Sequence, residues 1–256
     1  MRIRSWNLFH GNTSPPGSSV YLEEMVRLAS ADRPDVLVLQ EVPVWALGEL
    51  GRWSGMTAVG DVAQPPRLGP VPIPARLGRT LTDLDPGRLR SAFSGQSNAI
   101  LLGDGRRVVR HEVVTLNPTR FRRDEARRLG LDLVTRLAWG KERRICQVVR
   151  LADGLVVANL HATGSLGDPR IPAAELRRAV PSIEALAEDG GTIVIAGDFN
   201  AMAAHWVLDG YSEPGPGIDH IAVRGADPSP IAVWPDERRV RAGMLLSDHP
   251  PIELEL

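Results

Sequence analysis

Thr192-Ile193-Val194-Ile195-Ala196-Gly197-Asp198-Phe199-Asn200 is an apolar, β-branched run that ends in a glycine, a carboxylate and an amide. Such a run predicts a buried strand, and the glycine predicts a tight turn at its end. On extended backbone, positions i and i+2 point to the same side, so Asp198 and Asn200 can address one phosphate together. A turn closed by local Asp and Asn hydrogen bonds is the competing reading of these residues taken alone.

Other apolar runs end in the same manner. Ser247-Asp248-His249 precedes Pro250-Pro251 and a final apolar run, and Asp219-His220 opens Ile221-Ala222-Val223. An imidazole can take a proton from water near neutral pH when a carboxylate holds its other ring nitrogen. Asp219 and Asp248 are both candidate partners for His249, and His220 is an alternative imidazole. Glu41 follows Val36-Leu37-Val38-Leu39-Gln40, where a carboxylate at a strand end suits a hard metal ion. Asn7 ends the alternating run from Arg2, and His161 ends Leu155 to Leu160.

Further strands are expected at Asn98 to Leu102, Arg107 to Thr115, Arg143 to Leu151, Ile218 to Val223 and Pro251 to Leu256. Helical periodicity covers Val20 to Ala31 and Pro172 to Glu188, and Pro181 is expected to kink or divide the second helix. Prolines 65, 66, 70, 72 and 74, with little periodicity around them, predict a long surface loop at about 61–95. Many strands with few helices predict packed sheets flanked by helices in a single domain over 1–256, or two packed halves.

At 256 residues, 43% hydrophobic and 24% charged, the chain can build a substantial core. A net charge of -1 gives no global argument for nucleic acid or membrane. The lone Cys146, in an apolar run, reads as a small buried thiol and excludes an internal disulfide. No signal peptide is evident, and no stretch approaches the roughly eighteen apolar residues of a spanning helix. A cytoplasmic monomer without stable membrane insertion is expected.

The ordered motifs Ser5-Trp6-Asn7-Leu8, Leu39-Gln40-Glu41-Val42, Gly95-Gln96-Ser97-Asn98-Ala99-Ile100-Leu101, Asn159-Leu160-His161, Gly197-Asp198-Phe199-Asn200, Gly217-Ile218-Asp219-His220 and Ser247-Asp248-His249-Pro250 together resemble the endonuclease/exonuclease/phosphatase superfamily. That resemblance implies an α/β four-layered sandwich, with two mixed β-sheets face to face and helices on the outer faces. It also implies a phosphoric ester hydrolase that uses Mg2+ or Mn2+. Glu41 then corresponds to the main metal ligand, with Asn7 beside it and Asp248 near the metal. His249 corresponds to the imidazole that activates water, with Asp219 as its carboxylate partner. Asp198 and Asn200 correspond to the pair that positions the nucleophile and binds phosphate, and Asn98 lies in a substrate-binding motif.

A histidine at position 161 resembles secreted deoxyribonucleases, sphingomyelinases, tyrosyl-DNA phosphodiesterases and deadenylases more than AP endonucleases, whose tyrosine motif has no match here. Between Arg106 and Arg144 lie twelve basic residues (Arg106, Arg107, Arg110, Arg120, Arg122, Arg123, Arg127, Arg128, Arg136, Lys141, Arg143, Arg144) and five acids (Glu112, Asp124, Glu125, Asp132, Glu142). That local excess can track a phosphate backbone, and Arg143 and Arg144 are its candidate substrate ligands. Nucleic acid is therefore the expected substrate. Phospholipid or sphingomyelin head groups and small phosphate esters are the alternative, and an inactive binding module is a third reading.

Overall fold

Val36-Leu37-Val38-Leu39 has no polar side chain to give to solvent, and all four residues have no exposed surface. Two-sided burial of this kind is what a continuous apolar run predicts. The computed structural model describes residues 1–17, 20–84, 93–164, 167–206, 208–212 and 215–256.

In chain order the elements are β1 (Arg2–Asn7), β2 (Thr13–Ser14), α1 (Leu22–Ser30), β3 (Val36–Val42), α2 (Leu50–Ser54), β4 (Thr57–Gln64), β5 (Arg67–Leu68), β6 (Val71–Pro72), α3 (Ala75–Leu84) and β7 (Gln96–Leu102). They continue with β8 (Val108–Thr115), α4 (Thr119–Arg128), α5 (Leu133–Trp139), β9 (Ile145–Leu151), β10 (Val156–His161), α6 (Arg170–Glu184), β11 (Ile193–Asp198) and β12 (Asp219–Arg224). The last four are β13 (Ala232–Val233), β14 (Val240–Arg241), β15 (Met244–Leu246) and β16 (Ile252–Glu255). The chain packs as two compact units, Met1–Gly105 with Ser229–Leu256, and Arg106–Pro228.

The first unit carries a mixed sheet in the order β13-β16-β1-β3-β7-β4, in which only β1 and β3 run parallel. Leu22, Met25, Val26 and Ala29 of α1 recur at helical spacing and are buried in one cluster with Trp6, Leu37, Leu39, Leu50 and Leu101. Glu23 and Glu24 lie in the first turn of α1, where the helix dipole favours negative charge.

Arg4 of β1 is fully buried, with its guanidinium over the Trp234 ring and bonded to Asp32 and Glu253. The Arg4 hydrogen bond holds the Asp32 carboxyl down at about 2. A three-stranded sheet, β14-β15-β2, and the β5-β6 hairpin complete this unit.

The second unit carries a mixed sheet in the order β12-β11-β10-β9-β8, with β10 and β11 parallel. Ala173, Leu176, Ala179 and Ile183 of α6 pack with Val156, Ala158, Leu160, Ile193 and Ile195. The α6 helix runs through Pro181 without a break, because that proline falls in the last turn and removes only one bond to a carbonyl.

Glu175 of α6 is wholly buried and accepts from Trp139 Nε1 (2.6 Å), Thr163 N (2.7 Å) and Thr163 Oγ1 (2.7 Å). Desolvation pushes its carboxyl up, against those three donors. Cys146 is also buried and its thiol is pushed up by desolvation, so it is not a nucleophile.

The stretch 61–95 is not one long loop: β4 extends to Gln64, β5 and β6 form a hairpin, and α3 follows Pro74. Its prolines punctuate short elements, and Pro74 accepts the first α3 bond, from Gly78 N at 3.0 Å. Residues 85–92 of that stretch lie outside the described residues. The arginine-rich segment folds as α4 and α5, and Asp132 caps α5 by accepting from Thr135 N at 2.9 Å. Among the described residues, no helix is long and apolar enough to cross a membrane.

Gly197 has φ +144°, and a Cβ there would lie 1.9 Å from the Leu160 carbonyl oxygen of the neighbouring strand. Gly190 also has positive φ (+74°), but a Cβ would meet nothing within 4 Å. Gly190→Ala is expected to cost about 1 kcal/mol from backbone strain alone, and Gly197→Ala about 3 kcal/mol or more. Urea unfolding of the two variants checks this, and equal losses would refute the close-approach argument.

Candidate active site

In the first unit, the parallel register of β1 and β3 puts Asn7 opposite Gln40. Between β3 and β7 the register shifts, with Leu39 opposite Ala99 and Val42 opposite Ser97. Gln40 and Glu41 therefore share the single position of Asn98, which is a β-bulge. Glu41 takes φ +53° within it. A non-glycine residue in that region costs about 1–3 kcal/mol and persists where surrounding structure enforces it.

The Glu41 carboxylate lies 3.4 Å from His10 Nε2, and His10 Nδ1 lies 3.2 Å from Ser94 Oγ. Both His10 and Ser94 are buried. The Asn7 side-chain oxygen accepts from Phe9 N at 3.0 Å.

The turn at 247–249 is fastened to the same strand end. Ser247, at φ +59°, donates from its hydroxyl to the Asn7 carbonyl (2.7 Å), and that hydroxyl accepts from His249 N (3.1 Å). Trp6 Nε1 donates to the His249 carbonyl at 2.9 Å. Arg239, itself buried, donates from Nη1 to the carbonyls of Leu246 (2.8 Å), Ser247 (2.8 Å) and His249 (3.4 Å), while Asp236 holds Nη2 at 2.7 Å. Asp248 Oδ1 is 4.0 Å from His249 Nε2, too far for a hydrogen bond. Arg239 and His10 escaped the sequence reading because neither lies in a motif.

In the second unit, the parallel register of β10 and β11 puts His161 opposite Asp198, with Nε2 and Oδ2 3.6 Å apart. Arg144 is buried rather than displayed. Its Nη1 meets the His161 ring nitrogens at 2.6 and 3.0 Å, and its Nη2 meets Glu142 Oε2 at 2.6 Å. A guanidinium only donates, so the imidazole nitrogen it faces accepts. Arg143, by contrast, donates to Thr115 Oγ1 at 2.9 Å in an exposed contact.

Asn200, at φ +51°, donates its backbone N to Asp198 Oδ1 (2.9 Å) and its amide to the Ala162 carbonyl (2.9 Å). The local turn and the close placement of Asp198 and Asn200 thus coexist. Asp219, at the start of β12, is the direct antiparallel neighbour of Asp198. Two carboxylates in that relation repel unless a cation or a proton donor compensates them.

His220 is removed from the candidate imidazoles. It is buried, its Nε2 lies 2.9 Å from the Ala201 carbonyl, and its ring packs edge-on against Phe199 (5.2 Å) and Trp206 (4.8 Å). Desolvation lowers its pKa from 6.5. A histidine held neutral in the folded state contributes stability above its unfolded value, and that contribution is lost as acidification lets the unfolded chain bind the proton. Wild type is therefore expected to lose stability relative to His220→Phe as pH falls below about 6.5. Urea unfolding at a series of pH values measures the difference, and a pH-independent gap would contradict it.

A model of the Endonuclease/Exonuclease/phosphatase family matches residues 5–249. No match is found among curated proteins. Among solved structures, the chain is similar to an endonuclease/exonuclease/phosphatase from Beutenbergia cavernae, with 17% identity and a TM-score of 0.67 over 100% of this chain and 71% of that one. It is also similar to a humanized D. rerio TDP2, with 15% identity and a TM-score of 0.64 over 99% and 97% of the two chains. A third is the mannosyl-6-phosphatase of Bacteroides thetaiotaomicron, with 15% identity and a TM-score of 0.60 over 100% and 98%. These likenesses accord with the expected α/β class of mixed sheets and helices. The family match extends over all the motifs at the strand ends, and the chain belongs to the endonuclease/exonuclease/phosphatase family of phosphoesterase hydrolases.

Proposed function

We propose that the protein is a divalent-metal-dependent phosphodiesterase that hydrolyses nucleic acid by in-line attack of water. The observation that carries this reading is the pairing of motif residues at parallel strand ends, Asn7 beside Gln40-Glu41 and His161 beside Asp198.

The donors suit a hard cation. Glu41 offers a carboxylate aimed by a bulge, Asn7 an amide oxygen, and Asp248 a half-exposed carboxylate. Glu41 and Asn7 would hold Mg2+ or Mn2+, with Asp248 near it. Such a metal, when bound, supplies charge neutralisation at the phosphoryl oxygens and the departing alkoxide.

The protein's own groups do the rest. His249, its backbone pinned on both sides, takes the proton of the attacking water, and a carboxylate, the role implied for Asp219, stabilises the imidazolium. Asp198 and Asn200 position water and phosphate. His161, braced by Arg144, and Asn200 donate to phosphoryl oxygens as charge develops. Asn98, facing the bulge, and Arg143, near the surface, are assigned to substrate. The arginine excess of 106–144 supports a polyanionic substrate, although Glu112, Asp124, Glu125 and Glu142 neutralise part of it.

The test is incubation with supercoiled plasmid and labelled single-stranded DNA and RNA in Mg2+ or Mn2+. Cleavage is expected, with loss on chelation and in His249→Ala. Turnover that survives exhaustive chelation removes the metal, and turnover confined to small phosphomonoesters moves the substrate to that class.

Arg239→Lys keeps the charge but is shorter and lacks the second nitrogen that Asp236 holds while the first meets the carbonyls. It is expected to lower kcat about tenfold or more, equivalent to about 1.4 kcal/mol of barrier, with little change in KM. A change confined to KM would argue that Arg239 does not position His249.

A further inference from the structure

A cleft of about 340 Å3 opens between α4 and α5, lined by Thr119, Arg122, Arg123, Ala126, Arg127 and Arg136. Four arginines, a threonine and an alanine line it, and no acidic residue does. Arg127 pairs with Asp124 at 3.2 Å in an exposed contact that water screens. Among the described residues, Arg122, Arg123 and Arg136 form no ion pair with a carboxylate.

Two of these arginines are fixed through the nitrogen nearest the chain. Arg122 Nε donates to the Asn117 carbonyl (2.9 Å), and Arg136 Nε donates to the Leu131 carbonyl (2.7 Å). The outer Nη groups are thereby held in place before any ligand arrives, which lowers the ordering cost of binding. Uncompensated, preorganised guanidinium forks suit the oxygens of a phosphate, which accept paired hydrogen bonds.

The cleft is also joined to the candidate active site by bonded groups of the same unit. Asn117, which receives Arg122, accepts from Arg144 N at 3.0 Å through Oδ1, and the Arg144 guanidinium contacts His161. We propose that this cleft is a phosphate subsite that holds a backbone phosphate of the nucleic-acid strand other than the one being cleaved. This rests on the nuclease reading for its occupant, but the site itself can be measured without catalysis. Its volume exceeds one phosphate and admits part of the attached sugar. The neighbouring α5 face, Leu133, Val134 and Leu137, is 69%, 76% and 65% exposed, and aliphatic side chains of this kind give bases no stacking platform. Strand binding is thus assigned to the arginines alone.

The decisive variant is Arg123→Ala/Arg136→Ala, with circular dichroism melting as the folding control. Fluorescence anisotropy with a labelled single-stranded oligonucleotide should give a Kd raised about tenfold, and a salt slope smaller by about 0.7 for each phosphate no longer neutralised. The ratio of kcat/KM on that oligonucleotide to kcat/KM on bis(4-nitrophenyl) phosphate should fall in parallel. Unchanged Kd and salt slope would overturn the subsite.

Calorimetry with inorganic tripolyphosphate separates this from failure of the nuclease reading. Binding abolished in the double variant but kept in His249→Ala supports the phosphate site even if no nucleic acid is cleaved. Equal binding in all three proteins overturns it. Binding to phosphatidylserine vesicles that Leu133→Ser/Leu137→Ser abolishes, with oligonucleotide affinity unmoved by the arginine changes, would also overturn it and assign this face to a lipid surface.

Discussion

Two parallel strand pairs, β1 with β3 and β10 with β11, stop in register, and the candidate site residues hang from those stops. Parallel strands bring their carboxyl ends to one edge of a sheet, where the ladder has run out. Asn7 and Glu41 leave one such edge, and His161 and Asp198 leave the other. The antiparallel neighbours add what parallel pairing cannot. Strand β12 begins with Asp219 opposite Asp198, and β16 is preceded by the turn carrying Asp248 and His249.

Reaching a strand end does not aim a side chain, and the aim comes from costly backbone. Glu41, Asn200 and Ser247 all take positive φ. Each is held by its surroundings: a bulge facing Asn98, an Asx turn onto Asp198, or hydroxyl bonds between Asn7 and His249. Arg239 performs the largest share of this fixing in the first unit by gathering three carbonyls around the turn at 247–249. In the second unit Glu175 does the comparable task. It receives Thr163 through both backbone and hydroxyl, two residues beyond His161.

Much of this was legible in the chain. Apolar runs placed nine strands within two or three residues of their observed bounds and the polar residues after them marked the candidate site, but β4, only partly buried, and the two- and three-residue strands left no such run. What the sequence withheld is long-range or backbone in origin. The bulge at Glu41 depends on β7, a strand far away in sequence, and periodicity within β3 does not contain it. Arg4, Arg239 and His10 look like ordinary polar residues, since a buried arginine differs from a solvated one only by what surrounds it. His220 and His249 follow aspartates in the same way, and only the Phe199-Trp206 cage separates the structural ring from the candidate one. The α4 helix buries little beyond Ala126, so its arginines masked the weak apolar signal that would have revealed it.

The bond from Trp6 Nε1 to the His249 carbonyl joins residues 243 apart in sequence, and the β1 to β16 pairing spans a similar interval. Contacts of that separation are the slowest to form, because the loop they close is the longest in the chain. The helices and the hairpins can assemble while the turn bearing His249 still wanders. Anchoring of the turn that bears His249 therefore depends on closing a loop of nearly the whole chain.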